Sequence, residues 1–286
     1  MANTIADKLT YLSGTKDAIK QSIIAKGVEV TDTDTFRSYA DKITSIQTGG
    51  GGGTGSLVTG TKLAYSTFST IPDEYISYLE QQTDLSFMFS DCRNLKTIPL
   101  FSTNRAIDME YMFFACTSLT TVPQFDTRNV NNMSGMFTAC ESLTSVPQFD
   151  TRNVTDMSSM FSNCTSLTTV PQFDTRNVNN MEESFIYCTS LTSVPLLNFS
   201  NVTITDGIFG ECSSLTNLGG FTGLKTDLDL STCSKLTVDS VMNVINYAAD
   251  MTSSPKTLTL HQDAFNKLSE EQIATATSKG WNIAAV

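Results

Sequence analysis

The side chains best suited to chemistry sit in a string that occurs three times, Phe-Asp-Thr-Arg-Asn-Val, at residues 125–130, 149–154 and 173–178. Asp126, Asp150 and Asp174 each precede an arginine by two positions: Arg128, Arg152 and Arg176. Residues two apart in an extended chain share a side, so each carboxylate can neutralise a guanidinium within its own copy or in the next. Two readings stay open. The ladders can meet the hydrogen bonds of a repeated turn, or they can form an acidic and basic stripe that binds a polar ligand such as a glycan or peptide. Asn129, Asn153, Asn177 and Asn201 are read as satisfying turn backbone groups.

A second candidate contact is Ile186 with Tyr187, where equivalent positions carry Thr138-Ala139, Ser162-Asn163 and Gly210-Glu211. These positions, with 134–135, 158–159, 182–183 and 206–207, are expected on the solvent face of a short helix. Variation there is ordinary for an exposed surface. An exposed aromatic, though, carries a disproportionate share of binding energy.

No catalytic set emerges. The only histidine, His261, lies outside the repeated region, and the chain lacks a glycine-rich phosphate cradle, an HExxH motif and a paired-acid arrangement beyond the ladders. Asp32-Thr33-Asp34 lacks the later Gly and Glu of a calcium loop and reads as helix capping. The expectation is a non-enzymatic protein with no cofactor and no metal.

What positions the ladders is a period. Seven cysteines, Cys92, Cys116, Cys140, Cys164, Cys188, Cys212 and Cys233, are separated by 24, 24, 24, 24, 24 and 21 residues. Phe113, Phe137, Phe161, Phe185 and Phe209 lie three before a cysteine, Leu119, Leu143, Leu167, Leu191 and Leu215 three after, and Pro99, Pro123, Pro147, Pro171 and Pro195 at plus seven. A unit this short cannot bury its own apolar face, so identical coils must stack into one continuous core. With no CxxC spacing, the cysteines read as buried small hydrophobes in register rather than disulfides, zinc ligands or nucleophiles.

Within a coil, residues 118–125 predict a brief strand, limited by Pro123. Met157, Met160, Phe161 and Cys164 at i, i+3, i+4 and i+7 predict a turn or two of helix with its apolar side inward. The expected fold class is an α/β solenoid of leucine-rich-repeat type, right-handed, over residues 57–237, its first coil atypical. Residues 1–47 read as a small helical attachment module, 48–56 as a glycine-rich linker, and 238–286 as a C-terminal cap. In that cap Val241, Val244, Ile245 and Ala248 predict a helix face, Thr257 to Leu260 a strand, and Ser269 with Gln272 a capping box. His261 is expected to be a satisfied, partly exposed residue.

The formal charge of −11, with pI near 4.5, argues against a phosphate-backbone partner. Nucleic acid is not expected. Membrane insertion is not expected either, since no run approaches the ~20 apolar residues a spanning helix needs. The first residues carry no stretch of signal-peptide length, so secretion by that route is not expected. Residues 1–47 have few large apolar side chains for an independent core, which predicts trimerisation or docking on a larger body.

The unit MFxxCxSLTxVPxFDTxNVxxM resembles the BspA-like leucine-rich repeats, including the related repeats of mycoplasma surface lipoproteins. Residues 6–43 and 256–283 are similar to parts of bacteriophage and prophage tail proteins. Together the resemblances imply a virion protein, tail or surface, that presents the solenoid to a host cell-surface protein or glycan and meets other virion proteins through residues 1–47. The alternative is a bacterial BspA-like repeat protein mediating protein binding or adhesion. A weaker idea is an ice- or crystal-binding face on the threonines at 120, 144, 168 and 192.

Overall fold

The computed structural model describes residues 63–64 and 66–286. The expected helices of 1–47, the linker 48–56 and the start of the atypical first coil lie outside the described residues. The chain divides into two compact units, Met1–Tyr65 and Ser66–Val286, and the second contains both the repeats and the C-terminal stretch. It opens with a 3-10 turn, Asp73–Tyr75, and a single helical turn, α1, Ile76–Leu79.

The second unit is a repeat solenoid. Its register is fixed by parallel bridges that tie Asp84 to Asp108, Asp108 to Asn132, Asn132 to Asp156, Asp156 to Asn180 and Asn180 to Ile204, so the chain returns to one ladder every 24 residues. The repeated apolar side chains fill the interior as expected. Phe113, Phe137, Phe161, Phe185 and Phe209 are fully buried and stack with centroids 5.4–5.6 Å apart and planes within 11°. Phe125, Phe149 and Phe173 form a second buried column beside them, for instance 6.0 Å from Phe161 to Phe173.

The expected helix is not there. Met157, Met160, Phe161 and Cys164 all point inward and are buried, but residues 157–164 run as successive turns, and no helix lies between Glu80 and Thr237. The reason is where the backbone N–H groups go. Met157, Ser159, Phe161 and Asn163 donate to the next coil, at Asn180, Glu182, Ser184 and Ile186, over 2.8–3.1 Å. Met160, Ser162 and Cys164 donate three residues back within their own coil. A helix would spend every donor on itself and leave the coils unlinked. Turning the chain this way places two residues per coil in the left-handed region, such as Ser159 at φ 52° and Asn163 at φ 59°. Only Gly135 and Gly207 of these are glycine in the coils of Cys140 and Cys212.

The expected strand at 118–125 is also reduced. In the central coils it shrinks to one backbone bond per coil, Thr144 to Thr120, Thr168 to Thr144 and Thr192 to Thr168, because the proline three residues on has no donor to extend it. True strands appear only later: β1, Ser193–Val194, pairs with β3, Asn217–Leu218, and β2, Leu197–Asn198, with β4, Phe221–Thr222, all parallel.

The C-terminal end matches its sequence closely. β5, Leu228–Leu230, β6, Lys256–Leu260, and β7, Trp281–Ala285, form a parallel sheet in that order, with helices α2, Val238–Tyr247, α3, Gln262–Phe265, and α4, Glu270–Ser278, in the crossovers. Val241, Val244 and Ile245 are buried on α2, and Ser269 and Gln272 close a capping box on α4. Lys279 Nζ donates to the carbonyls of Ile245, Asn246 and Ala248, capping the C-terminus of α2. His261 caps α3, its Nδ1 accepting the Asp263 N–H at 3.1 Å.

Candidate functional site

The aspartates and arginines meet within each coil rather than between coils. Arg128 Nε, Arg152 Nε and Arg176 Nε each donate to Oδ1 of Asp126, Asp150 and Asp174 at 2.9 Å, and Arg152 Nη2 also reaches Asp150 Oδ2 at 2.9 Å. The hydrogen bond from Arg128 holds the Asp126 carboxyl below its ordinary range, and that from Arg152 does the same for Asp150. About two-thirds of each arginine side chain is exposed against about a third of each aspartate, so the guanidinium is the outer partner.

Three side-chain columns hold this pair in place. Thr127 and Thr151 are buried, and their hydroxyls donate to the carbonyls of Asp150 and Asp174 in the next coil. Asn153, Asn177 and Asn201 reach back to the carbonyls of Arg128, Arg152 and Arg176, which is the backbone role read from the sequence. Gln124, Gln148 and Gln172 send Nε2 forward to the carbonyls of Gln148, Gln172 and Leu196. The glutamines went unremarked in the sequence reading. Their signal is a Gln between Pro and Phe in the three coils that carry the Asp-Arg string.

Between successive coils these side chains line open depressions on one face. One is bounded by Gln124, Asp126, Arg128, Gln148, Asp150 and Arg152, the next by Gln148, Asp150, Arg152, Gln172, Asp174 and Arg176. A third follows at Gln172, Asp174, Arg176, Leu196 and Asn198. Their floors are phenylalanine, but Phe125, Phe149 and Phe173 are buried, so no aromatic face is offered to solvent.

Ile186 and Tyr187 are not part of this groove. They lie in the turn segment, both half-buried, with Tyr187 at φ 59° and its N–H on the Gly210 carbonyl at 2.7 Å. The positions expected on an exposed helix face are in fact largely covered: Ser134, Thr138 and Ser162 are buried. Their variation follows a packing rule, because side chains of one coil lie over the next. A Cβ on Gly210 would meet Ile186 at 3.1 Å, one on Gly207 would meet Glu183 at 3.4 Å, and one on Gly135 would collide with the ring of Tyr111. At these three places a large residue is followed one coil later by a glycine. Burial raises the Glu183 carboxyl above its ordinary range, with Glu182 adding to the effect.

The cysteine column is inert. Cys116, Cys140, Cys164, Cys188 and Cys212 are buried, and each thiol donates at 3.0–3.1 Å to a phenylalanine carbonyl of the preceding coil. Burial pushes these thiols well up, and Cys233 to about 12. Among the described residues, no cluster of His, Cys, Asp or Glu is arranged to hold a metal ion, and no helix is long and apolar enough to cross a membrane.

The coils that carry the groove match the family described as Mycoplasma protein of unknown function, DUF285, over residues 83–195 and again over 144–222. Together the two matches span residues 83–222, just under half of the chain. The stacked phenylalanines and the match together fit a repeat protein of the BspA-like type. The matched residues stop short of both 6–43 and 256–283. No curated protein matches the chain.

Proposed function

We propose that this is a non-enzymatic adhesion protein of the BspA-like DUF285 type, whose solenoid holds a partner on the Gln-Asp-Arg face. The observation that carries the reading is the repetition of one open, polar depression along a single face of a rigid core. Thiols that are buried, hydrogen-bonded and hard to ionise are poor nucleophiles, and His261 is spent on a helix cap, which supports a role without catalysis. The partner is a cell-surface protein or glycan. Labelled full-length protein should bind target cells saturably, and an Arg128, Arg152 and Arg176 triple substitution to glutamine should abolish most of that binding; non-saturable binding unaffected by the triple variant would remove the groove from function.

A virion setting is the second reading. It rests only on the resemblance read from the sequence of residues 6–43 and 256–283, which the family match does not reach, and it assigns docking, as a trimer or on another virion protein, to residues 1–47. Immunodetection on purified phage particles from the host culture decides it, with absence from particles counting against a tail or surface location.

A further inference from the structure

We propose that the groove binds a linear acidic polysaccharide lying along the solenoid, with one carboxylated sugar seated per coil. This names the ligand class of the face assigned above and rests on that assignment.

The charged pairs do work that closing the turn does not require. In the same columns the preceding coil carries Ser102 and Asn104, and the following coil Asn198 and Ser200. The turn closes there all the same. Thr103 donates to the Asp126 carbonyl at 3.0 Å, and Asn198 Oδ1 accepts the Ser200 N–H at 2.9 Å, as Asp150 Oδ1 accepts the Arg152 N–H at 3.3 Å. A neutral side chain therefore suffices for the backbone. The charges are confined to three consecutive coils, and Leu100 and Leu196 replace the glutamines on either side. The site has a beginning and an end.

Its polarity selects an anion. Each aspartate is held under its arginine, so on this face the outer charge of each pair is a guanidinium, on a chain whose net charge is −11. Guanidinium donors beyond those spent on aspartate face solvent and suit a carboxylate. Beside them each glutamine has directed Nε2 into the next coil, which leaves Oε1 to accept from a hydroxyl. A carboxylate with a neighbouring hydroxyl, repeated along a chain, is the pattern of a polyuronate. A neutral glycan would seek an aromatic platform, and none is exposed in the groove.

The charged positions recur once per coil along one line, and the phenylalanines beneath two of them, Phe125 and Phe149, have ring centroids 6.5 Å apart.

Titration calorimetry of the full chain with oligogalacturonates and oligomannuronates of one to six sugars tests this, alongside methyl-esterified oligomers. With at least one acid series, affinity should climb to three or four sugars and then level. Esterification and Arg152→Gln should each cost about tenfold or more, added salt should weaken binding, and Arg152→Gln should leave the thermal midpoint in place. Equal affinity for the ester, equal affinity for a monosaccharide, full affinity in Arg152→Gln, or failure of both acid series would overturn the assignment. Cell binding that survives while both acid series fail would overturn the polysaccharide and leave adhesion standing. Oligouronate binding without cell binding would support the site and remove the adhesive role.

Discussion

The Cys164 thiol donates to the carbonyl of Phe137 in the preceding coil at 3.1 Å, and the same carbonyl takes the Cys140 N–H at 3.0 Å. Each such oxygen thus has both lone pairs engaged, one within its coil and one from the next. The cysteines are therefore more than small hydrophobes, because their weak donors stitch adjacent coils through the driest part of the core. Cys164→Ala removes a buried hydrogen bond and a sulfur's volume together and should cost about 1–3 kcal/mol in urea unfolding. A change below about 0.5 kcal/mol would mean that the bond adds nothing.

Six thiols, from Cys116 to Cys233, have ionisation pushed upward by burial. A thiol that ionises near pH 8.5 when unfolded and much higher when folded contributes its full stability below pH 8.5 and loses it progressively above. The loss is about 1.4 kcal/mol per thiol for each further pH unit until the raised folded value is reached. Thermal midpoints measured from pH 8 to 10.5 should fall steeply, and less steeply in Cys164→Ala. Equal slopes in the two proteins would assign the alkaline loss to other groups.

Gly135 combines two demands: φ is 60°, and an added Cβ would lie 2.1 Å from Tyr111 Cε1. Tyr111 cannot simply yield, being buried, stacked on Phe87 at 5.2 Å and edge-on to Phe114 at 5.8 Å. Gly135→Ala should cost about 2–4 kcal/mol from strain and overpacking. In a Tyr111→Ala background the same change should cost about 1–2 kcal/mol, the backbone part alone. Additive losses in the double-mutant cycle would show that the ring had moved aside.

Phe161 lies at 5.6 Å from both Phe137 and Phe185 in the stack and 6.0 Å from Phe173 beside it. Phe161→Ala should cost about 3–5 kcal/mol. Because neighbouring coils are coupled only through shared interfaces, calorimetry should also resolve two transitions. A single sharp transition with a loss under about 1 kcal/mol would contradict the packing.

The periodic side chains announced the solenoid because each coil repeats one buried set, so Phe161, Cys164 and Leu167 needed only counting to be placed inside. The helix failed because i, i+3, i+4 and i+7 spacing is also met by turns that face one way, and the left-handed residues that make those turns include Ala139, Ser159, Tyr187 and Glu211, which give no local warning. For the site, a string written three times marked Asp150 and Arg152, whereas the outward arginine and the forward reach of Gln148 depend on coil-to-coil register. Ile186 looked like a free contact only until Gly210 was found beneath it.

The threonine between the two charges separates architecture from surface. Thr151 is buried, donates to the Asp174 carbonyl at 3.0 Å and accepts the Asp174 N–H at 2.9 Å, so Thr151→Val strands both groups and should cost about 1–3 kcal/mol. Asp150→Asn keeps the oxygen that accepts the Arg152 N–H, as Asn198 does for Ser200, and gives up only an exposed ion pair. Its unfolding midpoint should barely move. If instead Asp150→Asn destabilised the protein as much as Thr151→Val, the Asp-Arg ladder would be part of the scaffold, and the case for a ligand face built on its dispensability would collapse.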